Sequence, residues 1–209
     1  LLLFDRLPFY IGIVIILLSA LVIARRKKNY SFLFFYGLFT FYLLNVIKYT
    51  LFPIPIDPRV IAIHAGPTID FMKGMNFIPF NYTSIGNLFS RQVVLNVLLA
   101  IPFGFGIPFL TRIDLKKIII LGALFGVIIE LLQLSISLML GFPYRYVDIN
   151  DVINNFTGAI LGFLFFKIFS RLFIVSVDKL KITRDSFTEY IYNICSSSIR
   201  GTAAKSANR

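Results

Sequence analysis

The chain has 209 residues, 57% of them apolar and only 15% charged, with a formal net charge of +11. That balance excludes a soluble domain with an ordinary polar surface, and the apolar residues fall into blocks near the ~20-residue length that crosses a hydrocarbon core. The basic residues sit in short clusters between those blocks, so the positive charge reads as a topology signal and not as a nucleic-acid footprint.

The first apolar block runs from about Leu7 to Ala24 and the second from Tyr30 to Phe52, with Arg25, Arg26, Lys27 and Lys28 between them. Pro8 to Ile23 reads as a span and not as a secretory leader, because the basic cluster follows the apolar run and no small-residue cleavage site precedes a soluble domain. Pro53, Pro55 and Pro58 end the second span, and an outer segment, 53–90, follows with Gly66-Pro67, Gly74 and Asn76-Phe77-Ile78-Pro79-Phe80. A structureless loop that long is uncommon, so part of it is expected to pack on the bundle, or to lie in the interface as a short helix or re-entrant piece. The third block, Val93 to Leu110, contains Pro102, Gly104, Gly106 and Pro108, which predicts a kinked or broken helix. After Arg112, Lys116 and Lys117 comes a fourth span, Ile118 to Leu140, and after a linker, Gly141 to Asp151, a fifth, Val152 to Phe169. The remainder, 173–209, reads as a basic cytoplasmic tail that is disordered from Gly201 onward. Ser186 and Glu189 stand in it with the spacing of a capping box that opens a short helix.

These elements make an all-α, polytopic membrane helix bundle of about five transmembrane helices in one domain, 1–172. Four basic residues after the first span, three after the third and the basic tail place those ends inside, giving an N-terminus outside and a C-terminus inside. The lone Cys195 permits no intramolecular disulfide, and with a single histidine, His64, almost no material exists for a zinc site of His and Cys.

Three helices carry polar or small residues at helical spacing. Gly122, Gly126, Glu130, Gln133 and Ser137 share a face of the fourth span. Asp151, Asn155, Gly158 and Gly162 do so on the fifth, and Asn96, Ala100 and Gly104 on the third. Close helix packing through small residues explains the glycines. Counting ~1.5 Å per residue from each charged boundary puts Asn96, Glu130 and Asn155 ~8–10 Å below the outer boundary, with Gln133 just above. A carboxylate at that depth costs roughly 2.5–3.5 kcal/mol on insertion scales, so Glu130 must be neutral, paired or facing a wet cavity. Arg145 and Lys48 are its candidate partners, and Asp148 and Asp151 add carboxylates at the rim, where a helix N-terminus would also favour acidic side chains.

The same residues, taken together, resemble the VanZ-like family, named after a protein associated with teicoplanin resistance in glycopeptide-resistant bacteria. The resemblance covers roughly Lys48 to Phe166. It comprises Asn76-Phe77-Ile78-Pro79-Phe80, then Asn96 through Pro102, Phe103 and Gly104, then Glu130-Leu131-Leu132-Gln133. Arg145, Asp148, Asp151, Asn154 or Asn155, Gly158 and Gly162 complete it. Ala100 stands where Phe is common, and an extra Pro143-Tyr144 precedes Arg145. The resemblance implies a multi-pass protein of the bacterial cell membrane linked to tolerance of lipoglycopeptides or to envelope physiology.

Physics then suggests an outward-facing cavity that binds an anionic amphiphile. Lys48 and Arg145 would receive the head group, and Asn96, Glu130, Gln133, Asp148, Asp151 and Asn155 its polar atoms. The expected partners are membrane lipids, a lipid-linked cell-wall precursor or the acyl-bearing antibiotic itself, and not nucleic acid. One alternative is a membrane-embedded enzyme acting on a lipid or cell-wall-precursor head group. It would use Glu130 as general base, a divalent cation on Asp148 and Asp151, and Arg145 clamping a phosphate. No nucleophile motif, glycine-rich phosphate loop or histidine base supports that reading, and no other cofactor is expected. A lipid transporter with a discontinuous third helix, or a scaffold without chemistry, are the remaining alternatives; five spans show no inverted repeat.

Overall fold

The computed structural model describes residues 7–27, 29–65, 70–81 and 90–207; residues 1–6, 28, 66–69, 82–89 and 208–209 lie outside them. Seven helices occur among the described residues: α1 Leu7–Lys27, α2 Tyr30–Leu51, α3 Pro58–His64, α4 Arg91–Gly106, α5 Leu115–Leu140, α6 Ile149–Lys179 and α7 Ser186–Ala207. Five of them, α1, α2, α4, α5 and α6, are long and apolar enough to cross a membrane. Polarity is inverted relative to a soluble protein. Leu17, Phe34, Leu38, Ile120, Ile128 and Leu172 are exposed, while Glu130, Asn155 and Ser170 are buried, as lipid on the outside demands.

The bundle is organised around α6, which packs against α4, α5 and α7, while α1 leans chiefly on α2. Glycines set the spacing of the inner three helices. A side chain at Gly158 or Gly162 would strike the Val97 or Ile101 carbonyl of α4, and one at Gly104 would strike the Ala159 carbonyl of α6. The pairs advance together, so α4 and α6 run parallel. On the other side Gly122 faces Ala159 and Gly126 faces Val152, which makes α5 antiparallel to α6. The expected small-residue stripes are therefore the packing seams. Ala100, where the family pattern favours Phe, is fully buried and lies against Gly158.

The third span stays helical through Pro102 and gives way only at Ile107–Phe109, a 3₁₀ turn opened by Pro108. The discontinuity required by a transporter reading is thus not at Pro102. The segment after α2 contributes α3, with Asp57 capping its first turn ahead of Pro58, then a 3₁₀ turn at Phe71–Gly74 and a short strand β1, Met75–Asn76. β1 pairs in parallel with β2, Val147–Asp148, in the register Met75 with Val147 and Asn76 with Asp148. This fastens the segment between α2 and α4 to the α5–α6 linker.

Two features depart from the sequence reading. At 31 residues α6 is ~46 Å long, well beyond a ~30 Å hydrocarbon core, because Phe169, Phe173, Ile174 and Val177 carry its apolar face past Lys167 and Arg171. The region after 173 is accordingly not a loose tail: α7 docks on α6 through Ile191 and the fully buried Cys195, and its helix continues past Gly201 to Ala207. Its cap is also one residue earlier than the capping-box pattern suggested. The Asp185 carboxylate accepts the Thr188 amide hydrogen at 2.8 Å. Phe35 of α2 stacks on Phe109 at 4.4 Å and also meets Phe187 and Tyr190 of α7, closing an aromatic layer at this end of the bundle.

Candidate functional site

The start of α4 and the last turns of α5 meet the start of α6, where a helix must satisfy amide hydrogens that have no partner within it. Asp148 is the cap residue. Its Oδ1 accepts from the Asn150 amide at 2.8 Å, the Asn150 carboxamide at 2.9 Å and the Asn76 carboxamide at 2.8 Å. Asn150 in turn accepts the Phe80 amide hydrogen at 2.7 Å, so β1 and the residues after it are held by the α6 cap. The Asp148 backbone N–H points the other way, across to α5, and donates to Glu130 Oε2 at 2.9 Å. One helical turn into α6, Asp151 Oδ2 accepts from Gln92 of α4 at 2.9 Å.

Glu130, only 6% exposed, thus lies with Asp148 and Asp151 in a three-carboxylate group close enough for mutual repulsion. The positive end of the α6 dipole lies beneath them and offsets part of that repulsion. No ion pair joins Glu130 to Arg145 among the described residues. Asn96 lies within reach of Asp151 but outside hydrogen-bond geometry. Asn96 Nδ2, Gln133 Oε1 and Asn155 Oδ1 are each buried with no protein partner, and Asn155 is only 1% exposed. Among the described residues no group of three or more His, Cys, Asp or Glu has the geometry to hold a metal ion.

A second cluster forms at the end of α2, whose last carbonyls need donors from elsewhere. Gln133 donates to the Thr50 carbonyl at 3.0 Å, the Tyr144 hydroxyl to that of Leu51 at 3.1 Å and the Arg145 guanidinium to that of Phe52 at 2.7 Å. Beside this edge opens a cavity of about 490 Å³ lined by Pro53, Pro55, His64, Phe142, Tyr144 and Arg145, among others. Burial holds the Tyr144 phenol above its usual pKa, with the Arg145 charge and hydrogen bond pulling the other way. Lys48 sits a turn earlier on α2 with its ammonium 5.8 Å from the Tyr49 ring centre.

The expected single layer is therefore divided in two. Glu130, Asp148, Asp151 and Asn96 gather at the α6 cap, with Asn155 a turn further along α6. Gln133 and Arg145 turn to the end of α2. The two groups are close in sequence, since Arg145 is three residues before Asp148, or ~11 Å of extended chain at most.

A family model described as VanZ/LLP1 matches residues 39–170, almost two-thirds of the chain, including every residue of both clusters. The chain belongs to the VanZ/LLP1 family. No curated protein and no solved structure gives a significant match. Within the VanZ/LLP1 region, five polar residues of the two clusters lie outside the sequence-based site, Tyr144 among them. Gln92 stands four residues before Asn96 on the same helical face. Asn150 follows Asp148 at the spacing of a cap. Asn76 belongs to the Asn76–Phe80 segment but had no assigned partner. His64, the single histidine, lines the cavity beside Arg145.

Proposed function

We propose that this VanZ/LLP1 chain is a bacterial cell-membrane protein, N-terminus outside and C-terminal region inside, that confers tolerance of teicoplanin-type glycopeptides or lipoglycopeptides, or of envelope stress more broadly. It does so by binding an anionic amphiphile at its outer face. The observation that carries this reading is Arg145 on the wall of the 490 Å³ cavity. A guanidinium has five N–H donors, and the Phe52 carbonyl and the Tyr144 hydroxyl engage some of them, so the group is anchored and keeps donors to clamp a phosphate or carboxylate. Tyr144 and His64 add polar edges beside it, while Pro53, Pro55 and Phe142 give the apolar wall that the neck of an amphiphile needs. The unpartnered amide atoms of Asn96, Gln133 and Asn155 are a second support, because buried polar atoms without protein partners are commonly met by water or ligand. A lipid carrier, a lipid-linked cell-wall precursor and the acylated antibiotic all have the required chemistry.

The test is growth of a susceptible host expressing the chain across a teicoplanin series, at matched protein level. Arg145→Gln removes the charge while keeping a donor for the Phe52 carbonyl, and is expected to abolish tolerance; Arg145→Lys should keep part of it. Full tolerance in Arg145→Gln contradicts the proposal.

A further inference from the structure

At the opposite end of the bundle, α7 folds back over the 3₁₀ turn that ends α4 and leaves a cavity of about 590 Å³. The rise along α5 from Leu115 to Glu130 separates it from the carboxylate group by ~22 Å. Along α7 the cavity lies between two hydrogen bonds, beside the face of Ile191 and Cys195 that docks on α6. The Tyr190 hydroxyl donates to the Phe109 carbonyl, and Lys167 Nζ donates to the Ser198 carbonyl at 2.6 Å. Leu110, Ile113 and Ile194 give it half-buried apolar walls over the buried Phe109 and Phe166, and Thr111, Arg112, Asn193 and Ser197 line the rim.

Charge on that rim is lopsided. The Arg112 side chain is exposed and makes no hydrogen bond or ion pair with protein among the described residues. Its carbonyl accepts from Lys117 Nζ at 3.3 Å, which brings a second cation to the same edge, and Lys116 adjoins it in sequence. The neighbouring acids are already engaged. Asp114 accepts the Lys117 amide hydrogen at 3.0 Å, and Glu189 accepts from Asn193 at 3.1 Å and faces Arg184 at 3.8 Å. Arg112 also stands just before the first residue of a membrane-spanning helix, at the depth where lipid head groups lie.

We propose that this cavity holds one anionic phospholipid from the basic-side leaflet, with its phosphate on Arg112 and Thr111 and the base of its chains against Leu110, Ile113 and Ile194. A basic pocket between helices at the head-group level selects anionic lipid, and the volume lies within the ~300–1,000 Å³ range of small-molecule sites. A soluble phosphate would satisfy the rim but leave the half-buried Leu110, Ile113 and Ile194 walls facing water. Because the lipid would bridge α7 to the α4–α5 connector, it also holds α7 in place. This site is independent of the ligand proposed for the outer face.

The test is a native mass spectrometry titration of the purified full-length chain in detergent with phosphatidylglycerol, phosphatidylcholine and sn-glycerol 3-phosphate. One phosphatidylglycerol is expected to bind about tenfold more tightly than phosphatidylcholine, with no retention of glycerol 3-phosphate. Arg112→Gln, at an exposed position, should remove that preference. Asn193→Leu, which narrows the rim without changing charge, should weaken binding as well. Bound phosphatidylglycerol should also slow thiol labelling of Cys195, which is buried where α7 meets α6. Equal binding of the two lipids, or unchanged phosphatidylglycerol binding in both variants, overturns the proposal. Glycerol 3-phosphate binding as tightly as the lipid overturns it in favour of a soluble phosphate.

Discussion

Replacing single glycines by alanine separates packing from helix propensity within one protein. At Gly158 the new methyl would overlap the Val97 carbonyl and come 3.0 Å from Ala100 Cβ, both on the α4 backbone side of the seam. Neither can rotate away, so α4 and α6 must part. Overpacking of this kind costs ~1–3 kcal/mol, against a gain of ~1 kcal/mol from replacing Gly by Ala in a helix interior. At Gly37 of α2 nothing lies within 4 Å of the added carbon, so only the gain remains. Gly158→Ala is therefore expected to be less stable than Gly37→Ala by ~1–3 kcal/mol, or between about five- and two-hundred-fold in the unfolding equilibrium. Denaturation in mixed detergent micelles, followed by circular dichroism, measures the pair directly. Equal stability of the two variants would refute the account of the seam.

Two further predictions concern the ends of helices. Glu130→Gln keeps an acceptor for the Asp148 amide hydrogen and should unfold like the wild type. Glu130→Leu strands that donor and should lose ~1–3 kcal/mol, read in the same micelle assay. At the start of α7, hydrogen bonds from the Thr188 hydroxyl and then its amide hold the Asp185 carboxyl below its usual pKa. A depressed folded-state value stabilises the helix above the unfolded pKa of ~3.9, and that contribution is lost as pH falls through the folded value. Cys195, whose thiol burial pushes up in pKa, should label faster under acid once α7 loosens. Labelling by a pH-insensitive disulfide reagent is the readout, and Asp185→Asn, which still caps, should flatten the acid limb.

The five spans were legible because the bilayer imposes a length and an apolar character that hydropathy reads directly. The small-residue stripes were legible too, since Gly122 with Gly126 and Gly158 with Gly162 repeat at a helical interval. Gln133 was not. Three residues of helix turn it roughly 60° from Glu130, enough to hand it from the α6 seam to the end of α2. Arg145 depends on the path of an irregular linker, which β1–β2 pairing fixes over a long sequence separation that no local pattern encodes. Asp148 declared itself as a cap by residue type, but the Asn76, Asn150 and Glu130 interactions that converge on it required the fold. The α7 region misled in a different way. Its charge and polarity match a solvated tail, and only the spacing of Ile191 and Cys195 along one face carries the docking.

The Arg145 cavity is tested most directly by a photoreactive amino acid at position 64, an exposed residue of the same cavity lining, irradiated in intact bacterial membranes. The account predicts cross-links to an anionic lipid-linked species, or to added teicoplanin, that vanish in Arg145→Gln. Cross-links to bulk zwitterionic lipid alone, at equal yield with and without the Arg145 charge, would contradict it.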